Sequence, residues 1–500
     1  MTNILESLYS ILWGAPVLVL ILGVGLYISV RTGFVQIRLF PRALEDFWRK
    51  LTARDEGKGG VSPFQALCTA LAATVGTGNL VGVAGAICIG GPGAIFWMWI
   101  CGLLGMATKF GEVTLAVRYR SRENGEYVGG PMYMISAGMG EKWKWLAGAY
   151  SFFGVIAAFG VGNATQINAV ISGVNGVITQ LGGSETRQGN MLMGLILAVL
   201  VGAMLLGGVK RIGAVAEKLV PFVSGAYILL CLTVLVLRID AVPQAFGAII
   251  QGAFSPKAVT GGMLGSAFQA LKVGCSRGVF TNEAGMGTAS IAHASARVDH
   301  PVEQGLMGIM EVFLDTILIC TLTALVILVS GVPIPYGRDV GGELTFSAFT
   351  EVLGGWVSVF LAAALCCFAF ATVLGWGLYG ARCAQYLFGS RAWRYFAVFQ
   401  TVTVVIAAVL ETGTVWLLAE VVNGLMAIPN LIALFVLSPE LSRLTIDYRK
   451  RTGKRPAEVQ YADFHQRKPL RTLTHAEIPP LRGGGKETGQ AHLPSEHRPA

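Results

Sequence analysis

The stretch ATVGTGNLVGV, residues 73 to 83, decides how the whole chain is read. It lies inside an apolar run from Val61 to Thr108 that carries no Asp, Glu, Lys or Arg. That run is longer than the roughly 20 residues one membrane crossing needs, and Gly90, Gly91, Pro92 and Gly93 supply the turn that divides it. Within the first half, Gly76, Gly78 and Gly82 fall at mid-membrane together with Thr77 and Asn79. A continuous helix gains nothing from this composition. A discontinuous one does, because unwound backbone exposes N–H and C=O groups for an ion or a carboxylate, and irregular backbone survives at membrane depth only where it lines a site. The competing reading is a groove of small residues between packed helices, which leaves Thr77 and Asn79 without a purpose.

The remainder of the chain has the composition of a polytopic membrane protein. Of its 500 residues 53% are hydrophobic and 13% charged, against about 25% charged in soluble domains. Its 65 glycines are about twice the ordinary share. Eleven spans are predicted near residues 11 to 30, 62 to 89, 93 to 118, 147 to 180, 189 to 208, 217 to 237, 260 to 290, 303 to 331, 353 to 385, 394 to 411 and 413 to 438. The first reads as a true helix and not a cleaved signal peptide, since it lacks a basic n-region and a small-residue cleavage site. The cysteines sit in apolar runs with no disulfide framework or metal spacing.

Charge locates the loops. Of the net charge of +9, a balance of +5 belongs to residues 439 to 500, where twelve Lys and Arg face seven Asp and Glu in a Pro-, Gly- and His-rich tail predicted to be disordered. No nucleic-acid module appears. One alternate set of loops holds nineteen Lys and Arg; the opposite set holds four, Arg187, Arg238, Lys257 and Arg338. The rule that cytoplasmic loops are basic then places the N-terminus outside and the tail inside, which requires an odd number of spans.

A second interruption falls in the seventh span, where Lys272, Gly274, Cys275, Ser276, Arg277 and Gly278 are followed by TNEAGMG, residues 281 to 287. Paired interruptions in corresponding places of two halves point to an inverted-repeat transporter with its site at the midplane. Five spans separate the starts of the two broken helices, so the first span lies outside the repeat and the second half is inverted. The expected layout is an extra helix and basic loop over 1–60, repeats over 61–240 and 241–438, and the tail over 439–500.

GTGNLVGVAGAICIGGPGAIFWMW (76 to 99), TNEAGMGTASIAHASA (281 to 296), HPVEQG (300 to 305), Asp315-Thr316 and MAIPN (426 to 430) closely resemble the alanine or glycine:cation symporter family. The resemblance spans about residues 10 to 440. It implies an all-α membrane protein of the amino acid–polyamine–organocation group, with a LeuT-type 5+5 inverted repeat, one extra N-terminal helix and about eleven spans. It also implies cotransport of alanine or glycine with sodium across the bacterial plasma membrane. No cofactor is expected beyond sodium as coupling ion. The expected partners are a small neutral amino acid, sodium and the lipid bilayer, and the oligomeric state is left open.

The same resemblance puts the substrate carboxylate on the first broken helix around Thr77, Gly78 and Asn79, where a half-helix N-terminus favours an anion. Asn163 and Gln166, read as one helical turn apart on a shared face, reach for the amino acid, with packing of satisfied amides as the alternative. Cys275 and Ser276 of the second broken helix join that set. Thr372 and Trp376, spaced i and i+4, face the cavity, with Trp376 the wall that limits side-chain size. Thr74, Gly76 and Thr372 form the expected sodium site, since sodium prefers hard oxygen ligands much as calcium does.

Ionisable residues within spans are functional candidates by default. Lys109 and Glu112 are expected to form a structural pair near the cytoplasmic end, and Lys272, Arg277 and Glu283 a gating network at the second break. Asp315 and Glu420 are the others, Glu420 standing where the family is expected to carry Asp. A channel should show a repeated pore loop or charged ring, and neither is visible. A membrane enzyme should show paired catalytic groups; His293 and His300 are read as cytoplasmic-loop residues and no GxSxG occurs. Proton coupling on the same fold, and a twelve-span fold of two parallel halves, are the nearest rivals.

Overall fold

A computed structural model of the chain describes residues 7–9, 12–52, 60–180, 182–254, 267–338, 340–409 and 413–453. The chain divides into two units, Met1–Ala457 and Glu458–Ala500; the described residues belong to the first. The start of the seventh predicted span, residues 260 to 266, and the basic tail beyond Gly453 lie outside them.

Helices dominate because a lipid-embedded backbone must satisfy its own hydrogen bonds. In chain order they are α1 (Ala15–Thr32), the amphipathic α2 (Phe40–Thr52), α3 (Pro63–Thr74), α4 (Gly78–Gly90) and α5 (Gly93–Arg118). A hairpin of β1 (Ser121–Glu123) and β2 (Glu126–Val128) follows. Then come α6 (Glu141–Thr179), α7 (Arg187–Leu205), α8 (Gly208–Leu237), α9 (Val242–Phe254), α10 (Ala267–Asn282) and α11 (Thr288–His293). The last are α12 (Pro301–Val329), α13 (Glu343–Leu353), α14 (Trp356–Phe388), α15 (Ala392–Ala407) and α16 (Gly413–Gly453). Local chemistry sets several boundaries. Ser62 accepts from the Gln65 N–H to cap α3, with Pro63 in its first turn. Gly33, at φ 69, closes α1.

Among the described residues, seven helices are long and apolar enough to cross a membrane, and α3 with α4, bent by 50° across a short break, make an eighth. The shorter α1, α10 and α15 occupy the places of the other three predicted spans.

The two broken elements pack against each other in crossed fashion. α10 lies along α4, and α11 lies along α3. First half against second half is what two antiparallel broken helices produce, and it brings both breaks to one place. Around them α5 packs on α10 and α12, and α14 packs on α3 and α6. α13 sits on the first break, where the Thr345 hydroxyl donates to the Leu80 carbonyl at 2.8 Å. The extra helix α1 packs on α5 and α16.

Composition changes at 439, but the helix does not end there. α16 runs on to Gly453, because Leu441, Thr445 and Tyr448 stay buried and Tyr448 takes a 3.0 Å bond from Arg42 of α2. All nine cysteines are free: seven are buried and Cys366 and Cys367 are half-buried.

Candidate functional site

The first break is built from its own sequence. α3 stops at Thr74, and Val75 turns extended at φ −76 and ψ 104. The Gly76 N–H then bonds the Asn79 side-chain oxygen at 2.8 Å instead of the Ala72 carbonyl four residues back. That carbonyl receives the Thr372 hydroxyl of α14 at 3.0 Å. A Cβ on Gly76 would stand 2.7 Å from the Thr372 oxygen, so glycine permits this approach. The chain resumes through a wide π-turn over Gly78–Gly82, a device that recurs at functional sites. Thr74 keeps its hydroxyl on its own helix, 3.3 Å from the Ala70 carbonyl.

The second break lies at residues 283 to 287. The expectation of an interruption already at Lys272 to Gly278 is corrected, since α10 is continuous through Asn282. Glu283 (φ 54), Gly285 (φ 97) and Gly287 (φ 78) all adopt left-handed backbone, which ends one helix and starts another. The Ala284 N–H is capped within the segment by the Asn282 side-chain oxygen at 2.9 Å, and those of Gly285 and Gly287 are met from outside. Glu112 of α5 accepts with one oxygen from the Gly285 N–H at 2.8 Å, the Gly287 N–H at 3.1 Å and the Asn430 amide at 2.8 Å. The same Asn430 amide donates to the Gly285 carbonyl.

Between the breaks lies a small cavity, with about 20 Å³ open to the centre of a water molecule. Its wall takes Thr74, Gly76, Thr77 and Gly78 from the first break, Gln166 from α6, Phe280 and Glu283 from the second broken helix, and Thr372 and Trp376 from α14. The Thr77 hydroxyl donates to the Gln166 side-chain oxygen at 3.2 Å. Trp376 is 1% exposed, and its indole N–H donates to Glu283 at 3.0 Å. Gly162 allows the Trp376 side chain to lie directly on the α6 backbone, because a Cβ there would be 2.2 Å from that of Trp376.

Four predicted residues stand elsewhere. Asn79 turns its amide away from the cavity to Asp315, at 2.7 Å. Asn163 bonds the Gln400 carbonyl of α15 at 2.9 Å; a π-turn over Gly160–Ala164 resets the angular spacing, so Asn163 and Gln166 do not share a face. Cys275 is buried, its sulfur 4.0 Å from the Trp97 carbonyl on α5. Ser276 is half-buried on α10 and is not part of the cavity wall. Conversely, the wall positions of Phe280 and Glu283 were not assigned from sequence; a left-handed non-glycine at Glu283 leaves no mark in the sequence itself.

The buried charges also rearrange. Lys109 pairs with Glu311 of α12 at 3.2 Å and not with Glu112. Lys109 and Glu112 are spaced i and i+3 on α5, but Glu112 is drawn to the freed N–H groups of the second break. His293 is no loop residue: it is fully buried, 2.9 Å from Glu311 and 2.7 Å from the Gln304 amide. Lys272 is exposed and Arg277 half-buried, while Glu283 contacts Trp376 and Thr288. Glu420 is half-buried, and its backbone carbonyl holds the Trp13 indole. Buried ions persist only where paired and hydrogen-bonded. The Lys109–Glu311 ion pair and the hydrogen bonds from Glu311 through His293 to Gln304 form one network tying α5 to α12 and to the end of α11.

Comparison with known proteins bears on this arrangement. The profile of the Sodium:alanine symporter family matches residues 1–462. An uncharacterized transporter of Haemophilus influenzae is 44% identical over 456 residues, covering 90% of this chain and 96% of its own. The sodium/alanine symporter AgcS of Methanococcus maripaludis is 42% identical over 444 residues, 87% of this chain and 94% of that one. Among solved structures, MhsT in complex with L-phenylalanine superposes with a TM-score of 0.53 at 15% identity, covering 78% of this chain and 99% of that one. That likeness carries the LeuT-type fold alone. With the family profile spanning nearly all of it, and two breaks closing on one cavity, the chain belongs to the sodium:alanine symporter family of multi-pass membrane transporters.

Proposed function

We propose that the protein imports alanine or glycine together with sodium by alternating access at the cavity between the two breaks. The observation that carries this reading is the release of the Ala72 carbonyl from its helix to Thr372, beside the wall formed by Thr77, Gly78 and Gln166. A substrate carboxylate sits at the N-terminal end of α4, where the helix dipole and free N–H groups favour an anion. Sodium takes the hard oxygens of the Ala72 carbonyl and the Thr372 hydroxyl, with the backbone at Thr74 and Gly76 completing the shell. Trp376 limits the side chain to that of a small amino acid. Residues 61–240 and 241–438 act as the two inverted repeats, with the N-terminus outside, the C-terminus cytoplasmic and the bacterial inner membrane as the site of action.

Radiolabelled alanine uptake into proteoliposomes tests this. An inward sodium gradient should drive accumulation above equilibrium, and replacing sodium by potassium on both sides should abolish it. Accumulation driven by a pH gradient at equal sodium would instead assign the coupling to protons. Trp376→Ala should admit serine and leucine relative to alanine, by a factor of about 10 or more for each methylene the enlarged pocket accepts. An unchanged uptake ratio would remove Trp376 from the selectivity wall.

A further inference from the structure

We propose that Glu283 receives the ammonium group of the substrate, an assignment that rests on the amino-acid symport reading and adds to it. Glu283 is the one ionisable side chain on the described cavity wall. It is 4% exposed and held in place at both oxygens: the Trp376 indole N–H donates to one at 3.0 Å and the Thr288 hydroxyl to the other. Both partners are donors and both are neutral. A carboxylate offers about four lone-pair sites, so each oxygen keeps capacity for a further donor. The cation whose field reaches Glu283, Lys109, makes its ion pair with Glu311.

A buried carboxylate without an ion pair is costly, and a left-handed backbone at a non-glycine residue adds about 1 to 2 kcal/mol. Both costs fall on a residue whose side chain ends at the cavity. An ammonium group offsets the first on arrival. The wall then has two poles, the N-terminal end of α4 at Gly78 and the carboxylate of Glu283, which complement the carboxylate and ammonium of a zwitterion. Trp376 acquires a second task beside limiting size: its indole N–H positions the carboxylate.

The test is a binding cycle between protein and substrate, using alanine and propionate, which is alanine without the amine. Calorimetric titration of the purified full-length protein at saturating sodium gives the preference of alanine over propionate. Wild type should prefer alanine by at least about 100-fold, because propionate leaves a buried charge unpaired. Glu283→Gln should shrink that preference by about tenfold or more, leaving propionate binding equal or tighter and the sodium half-saturation unchanged. Trp376→Phe, which keeps an aromatic wall but removes the N–H, should shrink it less, and carries the test should Glu283→Gln lower the melting temperature below the assay range. A preference unchanged in both variants overturns the assignment. So does a raised sodium half-saturation in Glu283→Gln with the preference intact, since the carboxylate would then serve the cation. Failure of wild type to bind alanine or glycine at all would sink the transport reading and this proposal together, whereas an unchanged preference with alanine bound sinks this one alone.

Discussion

The two breaks solve one problem with different degrees of outside help. Both must hold backbone N–H groups that have lost their helical partners in a place without water. In the first, the cap comes from three residues away in the same segment, as Asn79 reaches back to the Gly76 N–H. In the second, Asn282 caps the Ala284 N–H locally, but the N–H groups of Gly285 and Gly287 go to another helix, where Glu112 of α5 collects them. A self-capped break travels with its own helix, whereas a break braced from outside is tied to the position of α5. The second broken helix is therefore the one whose local shape registers movement of its neighbours.

The largest expected effect tests that bracing sterically. Gly287→Val forces a side chain onto φ 78 and places its Cβ 2.4 Å from Pro131 and 2.6 Å from the Asn430 oxygen. Overpacking costs about 1 to 3 kcal/mol and the left-handed backbone about 1 to 2 more. Melting temperature and membrane yield should fall together, and a melting curve like wild type would show that the second break tolerates slack.

Next in size is Glu112→Ala, which removes the acceptor shared by the Gly285 and Gly287 N–H groups while the Asn430 amide keeps its bond to the Gly285 carbonyl. Uptake per folded molecule should drop severely. Glu112→Gln, which keeps an acceptor oxygen, should recover much of it. Equal losses in both would mean that charge, and not the bonds to residues 285 and 287, is what matters.

In the first break, Asn79→Asp keeps the oxygen that caps Gly76 but turns a donor toward Asp315 into a like charge. A double cycle with Asp315→Asn should restore at least half of the lost uptake, since the pair then regains one donor and one acceptor. Strict additivity of the two losses would deny that Asn79 and Asp315 act as a pair.

The smallest effect on folding is predicted for Gly76→Ala, whose Cβ meets only the Thr372 hydroxyl, at 2.7 Å. The melting temperature should stay near wild type while the sodium half-saturation rises several-fold. An unaltered sodium dependence would remove the contact between Gly76 and Thr372 from the ion site.

The sequence carried the first break almost completely. GTGN concentrates glycine and polar side chains in four residues of an otherwise apolar run, and the cap, the close approach and the cavity wall all arise within that segment or one helix away. The second break was legible as a region but not as a position. Gly274 and Gly278 look like break residues, yet they are packing residues: Gly274 lets α10 approach the Ala94 carbonyl, and Gly278 lies against Cys101. Periodicity cannot separate those roles. Spacing pairs Lys109 with Glu112 alone, and its partnership with Glu311 follows from the second break claiming Glu112. The misplacement of Asn163 has a different origin, because helical arithmetic assumes 3.6 residues per turn and a π-turn intervenes.

The burial of most native thiols has a practical consequence. Sulfhydryl reagents that cross water but not a packed core or lipid find little to modify in the unaltered chain, since seven cysteines are buried and two half-buried within the apolar helix α14. A single introduced cysteine therefore becomes a reporter without prior removal of the natural ones. Placed at exposed Trp145 it tells which side of the membrane that end of α6 faces. At Val161, on the cavity wall, its labelling rate from each side, with and without sodium, reads directly how the cavity opens.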